Sequence, residues 1–150
     1  MISDKVYNVL TNGIGHIGCT SSSLRPFHAD PLGICCDQDV NTIVCCLNNK
    51  TNKLFLEHVE IGSRVSLFTA VISHEAYNLK GTVIELRDVT DVESKVCDDL
   101  RKKMYGFYGE LGIPKNLVDR YWLKPIDIAV VFLVDKVFVQ TPGPDAGKEI

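Results

Sequence analysis

Long apolar stretches are missing from this 150-residue chain. None approaches the roughly 18–20 residues that a membrane-crossing helix requires. The first residues, Met1-Ile2-Ser3-Asp4-Lys5, lack the basic-then-apolar order of a secretory leader. Basic charge is not in excess either, with 16 Lys and Arg against 19 Asp and Glu. Nucleic-acid binding draws on a concentrated basic face that releases counterions, and no such face is encoded. These absences predict a cytoplasmic protein whose partners are neither membranes nor nucleic acids. Motifs of covalent chemistry are scarce too. No nucleophile elbow occurs, and Ser21-Ser22-Ser23 reads as a turn. Gly13-Ile14-Gly15-His16-Ile17-Gly18 is not a dinucleotide fingerprint, because a strand follows it where a helix is needed. His16, His28, His58 and His74 have no metal-ligand spacing, so neither a metal site nor a catalytic side chain is expected.

The chain is long enough for a single domain with its own core, and 45% apolar with 23% charged residues is an ordinary globular mixture. The reading is one domain over residues 1–150, with 140–150 as an extended C-terminal tail. Ser3 or Asp4 caps an opening helix with Val6, Val9 and Leu10 on one face, ended by Asn12-Gly13. Ile14 to Thr20 reads as a strand, Thr20 to Pro26 as a polar turn, Phe27 to Cys36 as the return strand and Ile43 to Leu47 as the next. Short turns between them predict an antiparallel meander. Lys53 to Ile61 suits a short amphipathic helix stopped by Gly62, although Leu54, Leu56 and His58 also alternate as on a strand. Arg64 to Val71 and Tyr77 to Leu86 are strand-like. Thr90 and Glu93 form a capping box for a helix through Val96, Leu100 and Met104 that ends near Gly106. Pro114 opens a further short helix through Leu117-Val118. Ile126 to Val134 is the last long strand, prolonged by Val137-Phe138-Val139 before the turn-rich Pro142-Gly143-Pro144. Together these predict an α+β, mainly β chain: about six antiparallel strands in a closed or nearly closed barrel, which removes exposed sheet edges, with flanking helices.

Cys35-Cys36 and Cys45-Cys46, four of the six cysteines, test for a metal or disulfide framework. Both pairs lie in expected strands, where adjacent residues point to opposite faces. A tetrahedral thiolate site would need ligands from both faces of one sheet. With Asp37 to Thr42 as the hairpin loop, Cys36 faces Ile43 and Cys46 faces Gly33. No cysteine then opposes another, and the thiols read as packing residues in a reducing compartment.

The loop Asn48-Asn49-Lys50-Thr51-Asn52-Lys53 leaves a buried strand and enters the expected helix. Helix N-termini attract anions, and the loop adds a hydroxyl, side-chain amides and two ammonium groups. This is the inventory for a phosphate monoester; the alternative is a solvated connection. In Arg25-Pro26-Phe27-His28-Ala29-Asp30-Pro31-Leu32, the prolines impose extended backbone before them, and Pro31 places the strand at an edge or barrel lip. His28 and Asp30, two apart, share a face. They read as polar walls beside a bound ring with Arg25 near its phosphate, or His28 as a hydrogen-bonded turn residue. Tyr121 and Trp122 read as a stacking surface for a planar ligand or as a lid on the core.

Taken in order, these segments resemble the pyridoxamine 5′-phosphate oxidase-like, FMN-binding split-barrel superfamily. Ile14-Gly15-His16-Ile17-Gly18-Cys19-Thr20 resembles its first barrel strand. Arg25-Pro26-Phe27-His28-Ala29-Asp30-Pro31-Leu32 is similar to its Gly-x-Pro-His-x-x-Pro-Leu strand. Thr51-Asn52-Lys53 resembles its Ser/Thr-x-Lys phosphate step, Gly62-Ser63-Arg64-Val65-Ser66-Leu67 its Asn-Pro-x-Val-x-Leu step, and Leu79-Lys80-Gly81-Thr82-Val83 its Leu-x-Gly-x-Ala/Val strand. The resemblance implies a six-stranded antiparallel split β-barrel and a homodimer that holds FMN between subunits. It implies FMN-dependent hydride or electron transfer with a small-molecule or protein redox partner. By the same resemblance, the cofactor-binding set includes Lys50, Thr51 and Lys53 at the phosphate, with Asn48, Asn49 and Asn52 in the same loop. His28, Ala29, Asp30 and Pro31 line the ring or ribityl chain, and Trp122 and Gln140 reach in from the other subunit. Whether Lys50 or Lys53 takes the phosphate stays open. The Arg-rich C-terminal signature of true pyridoxamine phosphate oxidases is missing, so oxidation of that vitamer is not implied. The alternatives are a module of the same fold for a deazaflavin, or for haem through His28 or His16, and a cysteine-based redox or metal protein.

Overall fold

The computed structural model of the chain, which describes residues 2–150, runs α1 (Asp4–Asn12), β1 (Ile14–Thr20), β2 (Pro26–Ala29), β3 (Gly33–Asp37), β4 (Thr42–Leu47), α2 (Lys53–Leu56), β5 (Arg64–Ala70), β6 (Ala76–Asp88), α3 (Asp91–Glu110), α4 (Lys115–Trp122) and β7 (Ile128–Val139). All strands join one seven-stranded sheet in the order β2-β1-β5-β6-β7-β4-β3, and every pairing is antiparallel. The β1/β2 and β3/β4 hairpins do not continue as one meander; they occupy opposite ends of the sheet. Yet only Asp30, Pro31 and Leu32 separate β2 from β3 in the chain. The two edges must therefore lie side by side, and the sheet curls into a barrel split along that seam. Long β6 and β7 share the curvature through register shifts at Lys80/Gly81 and Val83/Glu85, as bulges bend a ladder.

The extra strand arises from the stretch Phe27 to Cys36, which the sequence presents as continuous. Pro31 has no N–H for a ladder and forces extended backbone on Asp30. The strand breaks there, and each half takes a different partner.

Inside the barrel, Ile17, Leu67, Phe132, Ile43 and Leu47 pack with Val6, Val9 and Leu10 of α1. Ser3 caps α1 by accepting the Val6 N–H, and Gly13 leaves it in an extended conformation. A second core lies outside, where Leu100 and Met104 of α3 meet Leu32 and Val118 and Trp122 of α4. The Thr90–Glu93 capping box is present. Arg87 of β6 grips the Glu93 carboxylate with both guanidinium nitrogens, at 2.8 and 2.6 Å, and holds its pKa down to about 2.

Three expected boundaries move. The α3 helix runs through Gly106 to Glu110, because packing of Leu100 and Met104 outweighs the roughly 1 kcal/mol that an interior glycine costs; Gly112, at φ 71°, follows its end. The crossing helix is only four residues long, since Phe55 and Val59 are buried while Leu54 and Ile61 face solvent. The last residues turn back on β7: Phe138 bridges Glu149, and the Ile150 N–H donates to Val137. Among the described residues, no helix is long and apolar enough to cross a membrane.

Candidate cofactor-binding site

The Asn48–Lys53 loop is built by its own asparagines. Asn48 is 4% exposed; its side-chain oxygen accepts from the Thr51 N–H and hydroxyl at 3.0 and 3.1 Å, and its amide donates to the Pro125 carbonyl. The Asn49 N–H donates to the Asp127 carboxylate at 2.7 Å. Asn52 is buried as well: its amide donates to the Asn48 carbonyl at 2.9 Å, and its side-chain oxygen accepts the Asp30 N–H at 3.0 Å. That last bond ties the loop to the broken end of β2. The Asn48 and Asn52 side-chain amides shape the loop instead of reaching outward, as buried polar groups with satisfied partners do.

The outward groups are the lysines. Lys53 lies 3.6 Å from Glu57 in an exposed pair, whereas Lys50 joins no ion pair among the described residues. Asn52 makes no side-chain cap to α2, and one helical turn carries little dipole. Attraction for an anion here rests on the two ammonium groups. Behind them, the His58 ring stacks on Phe27 at 3.7 Å and 13°, and its Nδ1 pairs with the Leu54 carbonyl. This stack clamps α2 against β2.

Between β2 and the loop lies a cavity of about 500 Å³, lined by Phe27, His28 and Asp30 on one side and by Lys50, Thr51 and Lys53 on the other. It is within the range of ligand sites. Asp30 is also a junction. In the β1/β2 register, Gly18 opposes His28, which carries His16 to the position facing Asp30; their side chains meet at 2.7 Å. His16 in turn lines a second cavity of about 340 Å³ with Tyr108, Leu117, Tyr121 and Trp122. Burial, with the charge of Asp30 as the next cause, pushes the Tyr121 phenol up to about 12. A polar cavity and an aromatic one therefore adjoin at a single His–Asp pair.

Of the residues singled out in the sequence, His28, Asp30, Lys50, Thr51, Asn52 and Lys53 converge on one cavity. Ala29 points into the barrel core, Pro31 is buried at the seam, and Arg25 is exposed in the β1–β2 turn, its carbonyl accepting from Ser21. Gln140 sits beyond β7, bonded through its N–H to Ala76. Trp122 is 2% exposed within the second core of its own chain, which is the lid reading. Sequence reading missed the His16–Asp30 pair, although pairing Thr20 with Pro26 across the turn carries the register to it. It also missed Asp127 and the Phe27–His58 stack, which no local pattern marks.

No protein-family model matches the sequence, and no curated protein matches it. Solved structures do resemble it. HupZ of Group A Streptococcus superposes with a TM-score of 0.58 at 14% identity, over 98% of this chain and 100% of that one. A putative pyridoxamine 5′-phosphate oxidase from Lactobacillus delbrueckii gives 0.55 at 16%, over 91% and 92%. An FMN-binding protein from Syntrophomonas wolfei gives 0.54 at 12%, over 91% and 84%. At such identities the likeness is one of fold: a curled antiparallel sheet with flanking helices.

Proposed function

We propose that this chain, built on the pyridoxamine 5′-phosphate oxidase-like split barrel, binds FMN in the cavity between β2 and Lys50–Lys53 and serves as a flavin-dependent oxidoreductase or electron carrier. The observation that supports this reading is the convergence of His28 and Asp30 with Lys50, Thr51 and Lys53 on one cavity of about 500 Å³. FMN would supply hydride or electron transfer when bound, and the protein supplies binding and orientation. Lys50 and Lys53 would meet the phosphate. Lys50, with no ion-pair partner among the described residues, is the stronger of the two. Asp30, fixed by the Asn52 side chain and by His16, would stand at the ring end, where its charge does not oppose the phosphate. His28 is exposed on the same strand and forms the wall between. A homodimer would cover the open side of the cavity.

Purified protein should show flavin absorbance or take up added FMN with quenching of its fluorescence. Removing both ammonium groups in Lys50→Ala/Lys53→Ala should weaken FMN binding at least about tenfold, since hydrogen bonds to charged groups contribute roughly 1.5–3 kcal/mol each. Unchanged affinity in that variant would reject the site. A Soret band in place of flavin bands would reject the cofactor but leave the cavity.

A further inference from the structure

The aromatic cavity beside the His16–Asp30 pair shares no lining residue with the lysine-bearing one. Three elements frame it: β1 contributes Ile14 and His16, the end of α3 contributes Tyr108, and α4 contributes Leu117 and Tyr121. Tyr121 stands edge-on to the buried Trp122, with ring centroids 5.1 Å apart and planes at 67°. Aromatic surface thus walls a space of about 340 Å³. At its rim Ile14 and Leu117 are 37% and 48% exposed, apolar surface that a ligand of like character would remove from water. None of the lining residues is Lys, Arg, Asp or Glu, so the cavity suits a neutral molecule.

The polar groups here lack protein partners. Nδ1 of His16 lies 2.7 Å from the Asp30 carboxylate, and an ionised carboxylate only accepts, so Nδ1 carries the ring proton. In the neutral imidazole that leaves Nε2 as an acceptor, with no partner among the described residues. The Tyr108 and Tyr121 hydroxyls have none among those residues either. Since no buried side-chain polar atom is left unpaired, both hydroxyls reach solvent. Apolar walls with a few convergent polar groups characterise a small-molecule site.

We propose that this cavity binds a neutral planar phenol, its ring among the aromatic side chains and its hydroxyl donating to Nε2 of His16. The O–H sets the ligand class, because a ring without one would cover Nε2 and leave it unpaired. The aromatic walls select the flat ring. The role of the ligand, though not its binding, rests on the FMN reading. Asp30 borders the lysine-bearing cavity and holds His16 at the aromatic one, so a phenol bound here is the reaction partner placed beside the flavin ring.

The test titrates 2-naphthol into the isotope-labelled intact chain and follows its NMR signals. Saturable shifts should centre on His16, Tyr108, Leu117 and Tyr121. 2-Methoxynaphthalene, which keeps the ring but has no O–H, should bind at least about fivefold more weakly. His16→Phe should weaken 2-naphthol to a similar degree. Leu117→Trp, which fills the cavity from its exposed rim, should abolish 2-naphthol binding while FMN uptake persists. Lys50→Ala/Lys53→Ala should do the reverse, losing FMN and keeping 2-naphthol. With both ligands on the wild-type chain, contact between them should add a long-wavelength shoulder to the flavin absorption. A chain that takes up 2-naphthol as described but no FMN would uphold the phenol site and overturn the ligand's role. No saturable binding, equal affinity for the methoxy compound or shifts centred elsewhere would overturn the site. So would signal changes at this face on dilution of the chain alone, the mark of a second copy covering it.

Discussion

β2 and β3 are two halves of what the sequence presents as one strand, and they meet opposite fates. On β2, Pro26 and His28 face solvent, and among the described residues the cover is one turn of helix and a lysine-bearing loop. On β3, Gly33 and Ile34 are buried between α1 on one face and α3 on the other. Both carry reactive or polar side chains. At β2 these side chains stay wet and free to meet a ligand; at β3 Cys35 and Cys36 are half-buried beneath the two helices. Residue type therefore says less about chemistry at a sheet edge than the element that covers it.

The covered edge should be the more sensitive. Gly33→Ala forces a Cβ against Cys97 and should cost about 3 kcal/mol or more, the upper range for overpacking. Urea unfolding checks it, and adding Cys97→Ala should restore part of the loss. A neutral Gly33→Ala would mean that α3 does not press on β3. At the open edge, Asn52→Ala strips the Asp30 N–H and the Asn48 carbonyl of a buried partner. It should cost about 2 kcal/mol, and the Asp30 amide should exchange faster with solvent. Glu93→Gln weakens the anchor of α3 on β6 and should cost about 1–2 kcal/mol at neutral pH. The folded pKa of Glu93 is depressed to about 2, so its contribution is complete above the ordinary carboxylate range and disappears as pH falls toward about 2. The variant should lack that part of the acid slope. Lys53→Ala removes only an exposed pair with Glu57 and should change stability by less than about 0.5 kcal/mol, while affecting FMN uptake far more.

Local signals were legible. The expected facing of Cys36 with Ile43 and of Cys46 with Gly33 is the observed register, because hairpin length and alternation determine it. The Thr90–Glu93 box was also readable, since capping depends on residue type and spacing, whereas the meeting of Lys50–Lys53 with His28 and Asp30 at one cavity was implied only by the family resemblance. What depends on tertiary cover was not. The thiol of Cys97 comes against β3 from α3, some fifty residues on from β4, only because Gly33 leaves room. Helix α2 stops after one turn because burial selects Phe55 and Val59 over their apolar neighbours. Gly106 fails to end α3 because the second core holds that helix on both sides of it. The Asn48 and Asn52 side chains, with the Asn49 backbone N–H, proved to be builders of the loop, a role fixed by partners as remote as Pro125 and Asp127.

The seam at Pro31 has a mechanical consequence. β2 and β3 end the sheet without pairing to each other, so widening the gap between them breaks no ladder. The barrel can breathe along this line as a hinge-bound cover lifts from its page, with Asp30-Pro31-Leu32 as the spine and the Asn52–Asp30 bond as the clasp. A bulky ligand could enter beside β2 at the expense of a few side-chain contacts, leaving the rest of the sheet zipped.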